Sequence, residues 1–188
     1  MKLFSVAALC ALVGLIALPA LAQQKVVPAQ SEIGFVTRQM GVPVDGKFRK
    51  FDAQVMFDPK QPAAAKIGFT IDLVSASIGT AETEAELVKP DWFDTKKFPQ
   101  ATFTSTVVKP TGAGKFDVAG TLSIKGSSQA VVVPVMLVQT GAMTTATGAF
   151  TLKRLDFKIG AGDWGDTSIV ANDVQVKFKL TLTGVGAL

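Results

Sequence analysis

The sequence predicts an all-β fold, an antiparallel barrel of about eight strands with one short helical insertion. Apolar and polar residues alternate with a period of two through most of the chain after residue 23, and no long helical period appears. Short joints rich in Gly, Pro and Asp separate these runs, which is typical of consecutive antiparallel strands. A sheet of this size stacks as a sandwich or closes into a barrel, and we favour the barrel because closure removes exposed edges.

The chain begins with a segment typical of a secretory signal peptide. Its second residue is a lysine, residues 3–21 are almost entirely apolar, and Ala20-Leu21-Ala22 has the small residues of a cleavage site. We therefore predict a signal peptide over residues 1–22, cleaved after Ala22, and a periplasmic domain over residues 23–188. A membrane anchor is the alternative, and Pro19 and the cleavage triplet argue against it.

Runs of alternating residues predict the strands, and the last run is the clearest. In residues 174–183 every even residue is apolar and every odd residue is polar, which predicts one buried and one wet face. Residues 115–125 repeat this pattern, with Phe116, Val118 and Leu122 on the buried face. The predicted strands lie near residues 32–39, 47–58, 64–74, 101–109, 115–125, 129–139, 143–153 and 170–183.

A longer non-strand segment predicts a lid between two of these strands. Thr80 is a predicted N-cap for a short helix over residues 81–87, in which the early glutamates favour the helix dipole and Pro90 follows the end. The apolar pair Trp92-Phe93 comes next, and Pro99 leads into the following strand. Insertions of this length between barrel strands usually lie at the barrel mouth, so we expect this segment to close over one end.

The strand over residues 131–138 departs from the alternation because both of its faces are apolar. This pattern predicts that its outer side is covered, either by Trp92-Phe93 or by a second copy of the protein, which makes a homodimer a predicted partner arrangement. Pro134 has no amide hydrogen to donate, so we expect the strand to bulge there or to lack a neighbour.

Composition excludes several classes of function. The chain has no histidine, and its only cysteine lies in the predicted signal peptide. A Ser-His-Asp or Cys-His nucleophile and an ordinary zinc or haem site therefore cannot be built, and we predict no metal, no cofactor and no enzymatic activity. The 19 basic and 15 acidic residues form no basic run, which argues against a nucleic-acid partner. Two acidic sets remain candidates for carboxylate chemistry, although turns usually explain them: Asp91 with Asp94, and Asp156 with Asp163 and Asp166.

Six segments occur in an order that resembles one known family. The longest is residues 91–105, Asp-Trp-Phe-Asp-Thr-Lys-Lys-Phe-Pro-Gln-Ala-Thr-Phe-Thr-Ser. The others are residues 46–51, 57–59, 75–80, 120–126 and 154–160. Together they resemble the YceI family, also described as lipid- or polyisoprenoid-binding YceI-like domains, and the resemblance covers nearly all of the chain after residue 22.

The resemblance implies an eight-stranded, lipocalin-like barrel with an elongated apolar channel. It implies a non-catalytic protein that holds an isoprenoid lipid, a quinone or a fatty acid derivative in that channel. Many members carry a histidine just before the glycine that matches Gly41, whereas this chain reads Arg38-Gln39-Met40-Gly41, so no headgroup contact is carried over from it. The alternatives are a dimeric interaction or structural module of the envelope and a lipid-modifying enzyme that uses carboxylates.

Inward apolar residues are the predicted channel lining, although plain core packing is the alternative at each position. The predicted lining residues are Phe35, Phe51, Val55, Phe57, Phe69, Ile71, Phe103, Phe116, Val118, Leu122, Phe150, Phe178 and Leu180. The predicted mouth residues are Arg38, Trp92, Phe93 and Arg154, together with Trp164, which is predicted at the opposite mouth or as a plug of the barrel end. A cation at the mouth, with Lys96, Lys97 and Lys158 as further candidates, is expected to meet a pyrophosphate or carboxylate headgroup.

Overall fold

The computed structural model describes residues 24–188, so the predicted signal peptide over residues 1–22 lies outside the described residues. Within that range one α-helix, α1 (Ala81–Leu87), accompanies an eleven-stranded antiparallel sheet. The strands are β1 (Lys25–Val26), β2 (Glu32–Gln39), β3 (Val42–Phe48), β4 (Phe51–Met56), β5 (Lys66–Asp72), β6 (Ala76–Ser77), β7 (Gln100–Gly112), β8 (Lys115–Ile124), β9 (Ser127–Thr140), β10 (Met143–Lys153) and β11 (Asp173–Thr183). No described helix is long and apolar enough to span a bilayer.

The sheet closes on itself through two bent strands. Hydrogen-bonded neighbours follow the order β4-β5-β7-β8-β9-β10-β11-β2-β3-β6, and β3 continues into β4 just as β5 continues into β6. Across the bends, Arg49 N donates to Ser75 O at 3.1 Å and Asp72 N donates to Lys50 O at 3.1 Å. Counted as single strands, these two pairs reduce the barrel to the predicted eight, with the two-residue β1 added beside β11.

The predicted buried face of β8 is confirmed, whereas Thr181 on the predicted wet face of β11 is buried, and several strand ends differ from the prediction. Phe116, Val118 and Leu122 of β8 are buried, as the alternation indicates. β3 begins at Val42 because Met40 and Gly41, both with positive φ, make a tight turn that the sequence analysis overlooked. β7 runs past its predicted end at residue 109 to Gly112, and a register shift between Pro110 and Gly112 accommodates the missing amide hydrogen of Pro110.

Pro134 lies where β9 loses one neighbour, which is one of the two situations predicted for it. The β9–β10 ladder extends from Thr140 opposite Met143 to Val135 opposite Gly148 and then stops. Beyond that point β10 continues to pair with β11, and the segment after β10 lies against β9. Phe157 of that segment is 1% exposed, so the wall is completed there by side chains in place of a ladder.

The outer face of β9 is open to solvent. Val132, Met136 and Val138 are 58%, 45% and 55% exposed, whereas Val133 and Leu137 on the inner face are buried. The Trp92-Phe93 pair does not cover this surface, because Phe93 is buried in the core cluster at the end of the barrel. The other predicted cover, a second copy of the protein, stays a prediction.

Candidate ligand-binding tunnel

The interior of the barrel contains a cavity of about 630 Å³ lined almost entirely by apolar side chains. Its volume lies in the range of about 300–1,000 Å³ that is common for small-molecule sites. The alternation of β-strands places one side chain in two on this wall, which explains the strongly apolar lining. Of the predicted channel residues, these line the cavity: Phe35, Val55, Phe57, Phe69, Ile71, Phe103, Phe116, Val118, Leu122, Phe150, Phe178 and Leu180.

Phe51 is the predicted channel residue that does not line the cavity. It is partly buried and packs against the core cluster that contains Phe57 and Phe116. Phe51 comes directly after the bend at Arg49-Lys50, where the bent strand changes its partner from β6 to β5. The alternation therefore places Phe51 on the inner face correctly. After the bend, however, its ring faces core side chains and does not face the cavity.

One end of the tunnel lies beneath α1 and the Trp92-Phe93 pair. Both aromatic residues line the cavity, and Phe93 also packs 6.4 Å from Phe48 between ring centroids. Trp164, which is 38% exposed, lies with its ring centroid 5.6 Å from that of Trp92 and lines the cavity at this same end, so its predicted place at the opposite mouth is wrong. Glu82 of α1 is exposed and also contributes to the wall, so the cavity reaches solvent beside the helix.

The helix α1 begins at the predicted cap and is fastened to the barrel by a carboxylate. Thr80 Oγ1 accepts a hydrogen bond from Thr83 N at 3.3 Å. Glu84 Oε1 accepts from Ser77 Oγ at 2.6 Å and from Arg49 Nη2 at 3.0 Å. The Ser77 hydroxyl, with the positive charge of Arg49, lowers the pKa of Glu84 below its ordinary value. The helix is therefore tied to the bend of the barrel by an ionised group.

Lys125 connects two loop segments of the mouth, the one that follows α1 and the one that follows β10. Its Nζ donates to Pro90 O at 2.6 Å and to Lys158 O at 2.7 Å. Burial lowers the pKa of Lys125, and the carboxylates of Asp91 and Asp94 oppose that shift. A single ammonium from the β8–β9 turn thus holds the segment after α1 against the segment after β10.

Arg154 has a structural environment that differs from the predicted role at a headgroup. It is 2% exposed, and all five of its N–H groups donate to backbone carbonyls. The acceptors are Ala171 O at 3.1 Å, Ile159 O at 2.9 Å, Gly160 O at 2.6 Å, Trp164 O at 2.8 Å and Val170 O at 2.8 Å. Although Arg154 borders the cavity, it has no donor left for a ligand oxygen.

The other predicted cations lie outside the cavity wall. Arg38 is exposed and donates through Nη1 to Gly41 O at 3.1 Å in the turn after β2. Lys97 Nζ lies 3.8 Å from Asp94 Oδ2, and Lys96 and Lys158 are exposed. Because none of these four lines the cavity, the predicted cationic headgroup site is not formed there.

Polar groups that the sequence analysis overlooked are found on the wall at the mouth. Gln39, Thr83 and Glu86 line the cavity together with Thr37. Thr37 Oγ1 and Trp92 Nε1 are buried and have no hydrogen-bond partner among residues 24–188. The period of two in β2 places Thr37 and Gln39 on the same face as Phe35, and that signal was available from the sequence.

The acidic residues considered for catalysis do not meet at the cavity. Neither Asp91 with Asp94 nor the set after β10 lines it. Asp166 Oδ1 instead accepts from Ser168 N at 2.8 Å and from Ser168 Oγ at 2.7 Å, and these hydrogen bonds lower the pKa of Asp166. This carboxylate serves a turn, and residues 24–188 contain no cluster of three side chains suited to a metal ion.

Known proteins share this architecture over most of the chain. A family model described as a YceI-like domain matches residues 24–182. The UPF0312 protein plu2095 of Photorhabdus laumondii is 34% identical over 139 residues, which are 69% of this chain and 72% of that protein. Protein YceI of Escherichia coli O157:H7 is 36% identical over 125 residues, which are 62% of this chain and 65% of that protein.

Solved structures extend the similarity to three dimensions. The crystal structure of Burkholderia cenocepacia BcnA has a TM-score of 0.81 and 44% identity, and the match covers 84% of this chain and 99% of that one. A polyisoprenoid binding domain from Saccharophagus degradans has a TM-score of 0.70 over 86% of this chain and 98% of that one. At 17% identity this second likeness concerns the fold. With the family model covering nearly all of the described residues, the chain belongs to the YceI family.

Proposed function

We propose that this protein is a non-catalytic binding protein that holds the apolar tail of an amphiphile in its tunnel. The observation that carries the proposal is the apolar cavity of about 630 Å³, which opens beside α1. An unfilled apolar space of this size inside a core costs stability, and an apolar ligand removes that cost. Similarity in fold to a polyisoprenoid binding domain supports an isoprenoid lipid as the ligand, with a quinone or a fatty acid derivative as related choices.

The polar end of the ligand is proposed to lie at the mouth. The tunnel is lined there by Thr37, Gln39 and Thr83, and the acidic side chains of Glu82 and Glu86 flank the opening. Two carboxylates beside the opening disfavour a phosphate or carboxylate headgroup, and Arg154 cannot compensate because its donors are used. A neutral headgroup is therefore the better match.

The predicted signal peptide supports a periplasmic location for this binding role. We propose that the segment over residues 1–22 directs export, that it is removed after Ala22, and that the domain carries or sequesters its ligand in the periplasm. A lid at the mouth and an apolar interior suit a carrier, because the tail is kept from water between donor and acceptor membranes.

Identification of the bound molecule tests the proposal. Protein purified without detergent is extracted with organic solvent, and the extract is analysed by mass spectrometry. We expect an amphiphile with a long apolar tail at a fixed ratio to the protein, and we expect the delipidated protein to take up geranylgeraniol. Recovery of no amphiphile, together with no uptake of that alcohol, would contradict a binding function.

A dimeric interaction module is a second candidate function, and the outer face of β9 favours it. Val132, Met136 and Val138 lie on that face with more than two-fifths of each side chain exposed. Exposed apolar residues that lie together along one strand are typical of an interface. A second copy that packs there would leave the tunnel and its mouth unchanged, so the two functions are compatible.

A further inference from the structure

We propose that three glycines on the inner wall, Gly46, Gly120 and Gly148, set the bore of the tunnel and therefore the hydrocarbon chains that it admits. The inference deepens the proposed function and rests on it, since it concerns the same cavity. Each glycine faces a phenylalanine of a neighbouring strand that lines the cavity, namely Phe35, Phe103 and Phe178.

The geometry is the same at all three places. A Cβ atom built at Gly46 would lie 2.2 Å from Phe35 Cζ, one at Gly120 would lie 2.5 Å from Phe103 Cζ, and one at Gly148 would lie 2.4 Å from Phe178 Cζ. Real Cβ atoms do not approach other atoms this closely. The tip of each ring therefore occupies the space directly above a glycine Cα.

Strand geometry explains what these rings do for the tunnel. The three glycines lie on the inner face of their strands, so a Cβ at any of them would point into the tunnel. A ring that occupies this position lies across the neighbouring strand and does not project towards the axis. Glycine in the interior of a strand weakens it, and its use at a site where another group approaches closely is a recognised exception.

The three rings occur at different depths. Phe35 packs with the cluster that includes Phe93 and Leu87 beneath the lid, whereas Phe178 packs with the cluster at the far end that includes Phe57 and Phe116. Phe103 contacts both clusters. A chain that enters from the mouth passes the Phe35 ring first and the Phe178 ring last.

Gly46 is the most informative of the three positions. The three contacts of its virtual Cβ, at 2.2, 2.6 and 2.8 Å, are all with ring atoms of Phe35. At Gly120 and Gly148 the backbone oxygens of Thr104 and Pro134, each at 2.5 Å, would also be displaced. Gly46→Ala therefore moves a side chain, and the ring of Phe35 has the open cavity in front of it.

The test measures the affinity of delipidated protein for farnesol, geranylgeraniol and solanesol by fluorescence competition. We expect Gly46→Ala to weaken the binding of geranylgeraniol and solanesol at least about tenfold. The double variant Gly46→Ala with Phe35→Ala should restore that binding, because the displaced ring is gone. Gly68→Ala is the matched control, since its virtual Cβ has no atom closer than 3.9 Å and it lies on the opposite face of a strand.

The variant Phe35→Leu tests the same inference if Gly46→Ala does not fold. Phe35→Leu leaves the glycine in place, and we expect it to widen the bore and to raise the affinity for a bulkier probe, retinol, several-fold relative to geranylgeraniol. Wild-type affinity in Gly46→Ala, or an unchanged preference in Phe35→Leu, would overturn the inference. A wild-type protein that binds none of the alcohols would instead contradict the proposed function, so the two failures are distinguishable.

Discussion

Arg154 organises the mouth of the barrel from within. Its side chain is buried and donates to carbonyls of residues 159, 160, 164, 170 and 171, so one guanidinium orders the whole irregular segment between β10 and β11. Burial lowers the pKa of Arg154, but an arginine keeps its proton in proteins, and the carbonyl dipoles around it stabilise the charge. The residue predicted to hold a headgroup is thus the one that shapes the loop beside it.

Replacement of Arg154 by lysine is expected to destabilise the protein strongly. Lysine retains the charge but offers three donors from a single point, so at least two buried carbonyls lose their partner, and the free energy of unfolding should fall by roughly 3 kcal/mol. Urea unfolding followed by circular dichroism measures the change. The matched control is Arg38→Lys on the exposed turn, which should change stability by less than about 0.5 kcal/mol. Equal effects of the two substitutions would contradict the structural role.

For single residues, the sequence predicts the face of the strand on which a side chain lies, but it does not predict which side chain lies opposite. The inward positions of Phe116 and Val118 follow from alternation alone. The partners of Arg154 lie 5 to 17 residues away in an aperiodic loop, where no pattern indicates them. Cross-strand neighbours such as Phe35 and Gly46 depend on register, which periodicity does not fix.

The lid is an element whose local structure was predictable and whose attachment was not. Thr80, the glutamates and Pro90 carry capping and termination signals, and the helix spans Ala81–Leu87 as predicted. The hydrogen bonds of Glu84 with Ser77 and Arg49 join groups 7 and 35 residues apart. Such contacts arise from the bends in the barrel, and local sequence signals do not encode them.

Acid is expected to loosen the lid. The pKa of Glu84 is lowered in the folded state, so its contribution is fully present above the pKa of the unfolded carboxylate and is lost as the pH falls through the folded value. Hydrogen-exchange protection factors of the α1 amides should therefore decrease at acid pH. Glu84→Gln should show low protection already at neutral pH, with little further change.

Glu82→Gln is the control for this prediction, because Glu82 is exposed on the same helix. It should keep the wild-type protection at neutral pH and the wild-type decrease in acid. A helix that is equally protected in wild type and Glu84→Gln at neutral pH would rule out the carboxylate as the fastening group.

For the whole molecule, alternation predicts a sheet with one buried face and leaves open whether it stacks or closes. The pairing of β2 with β11 and the bends at Arg49-Lys50 and residues 73–75 decide in favour of closure. Strand number was predictable because the turns are short, while the division of two strands into halves was not. The cavity volume depends on how the inner side chains fit together, which sequence patterns do not report.

We expect the protein to self-associate through the outer face of β9. Light scattering and sedimentation should reveal a concentration-dependent dimer in the wild type. Met136→Lys combined with Val138→Lys should weaken association at least about tenfold, because two charges would be buried in an apolar contact. Met56→Lys, at a 66% exposed methionine on β4, is the control and should leave association unchanged. A wild-type protein that stays monomeric at every concentration would contradict a dimeric function.

β11 hydrogen-bonds to β10 along one edge and to β2 and β1 along the other, so residues 173–183 join the start of the domain to its end. The chain is synthesised from its amino end, so β1 to β10 emerge before β11, the strand that joins them. Until β11 has paired, no strand links β10 to β2 and the sheet is not closed there. In the closed barrel, by contrast, a molecule bound in the tunnel would have to enter through the opening beside α1.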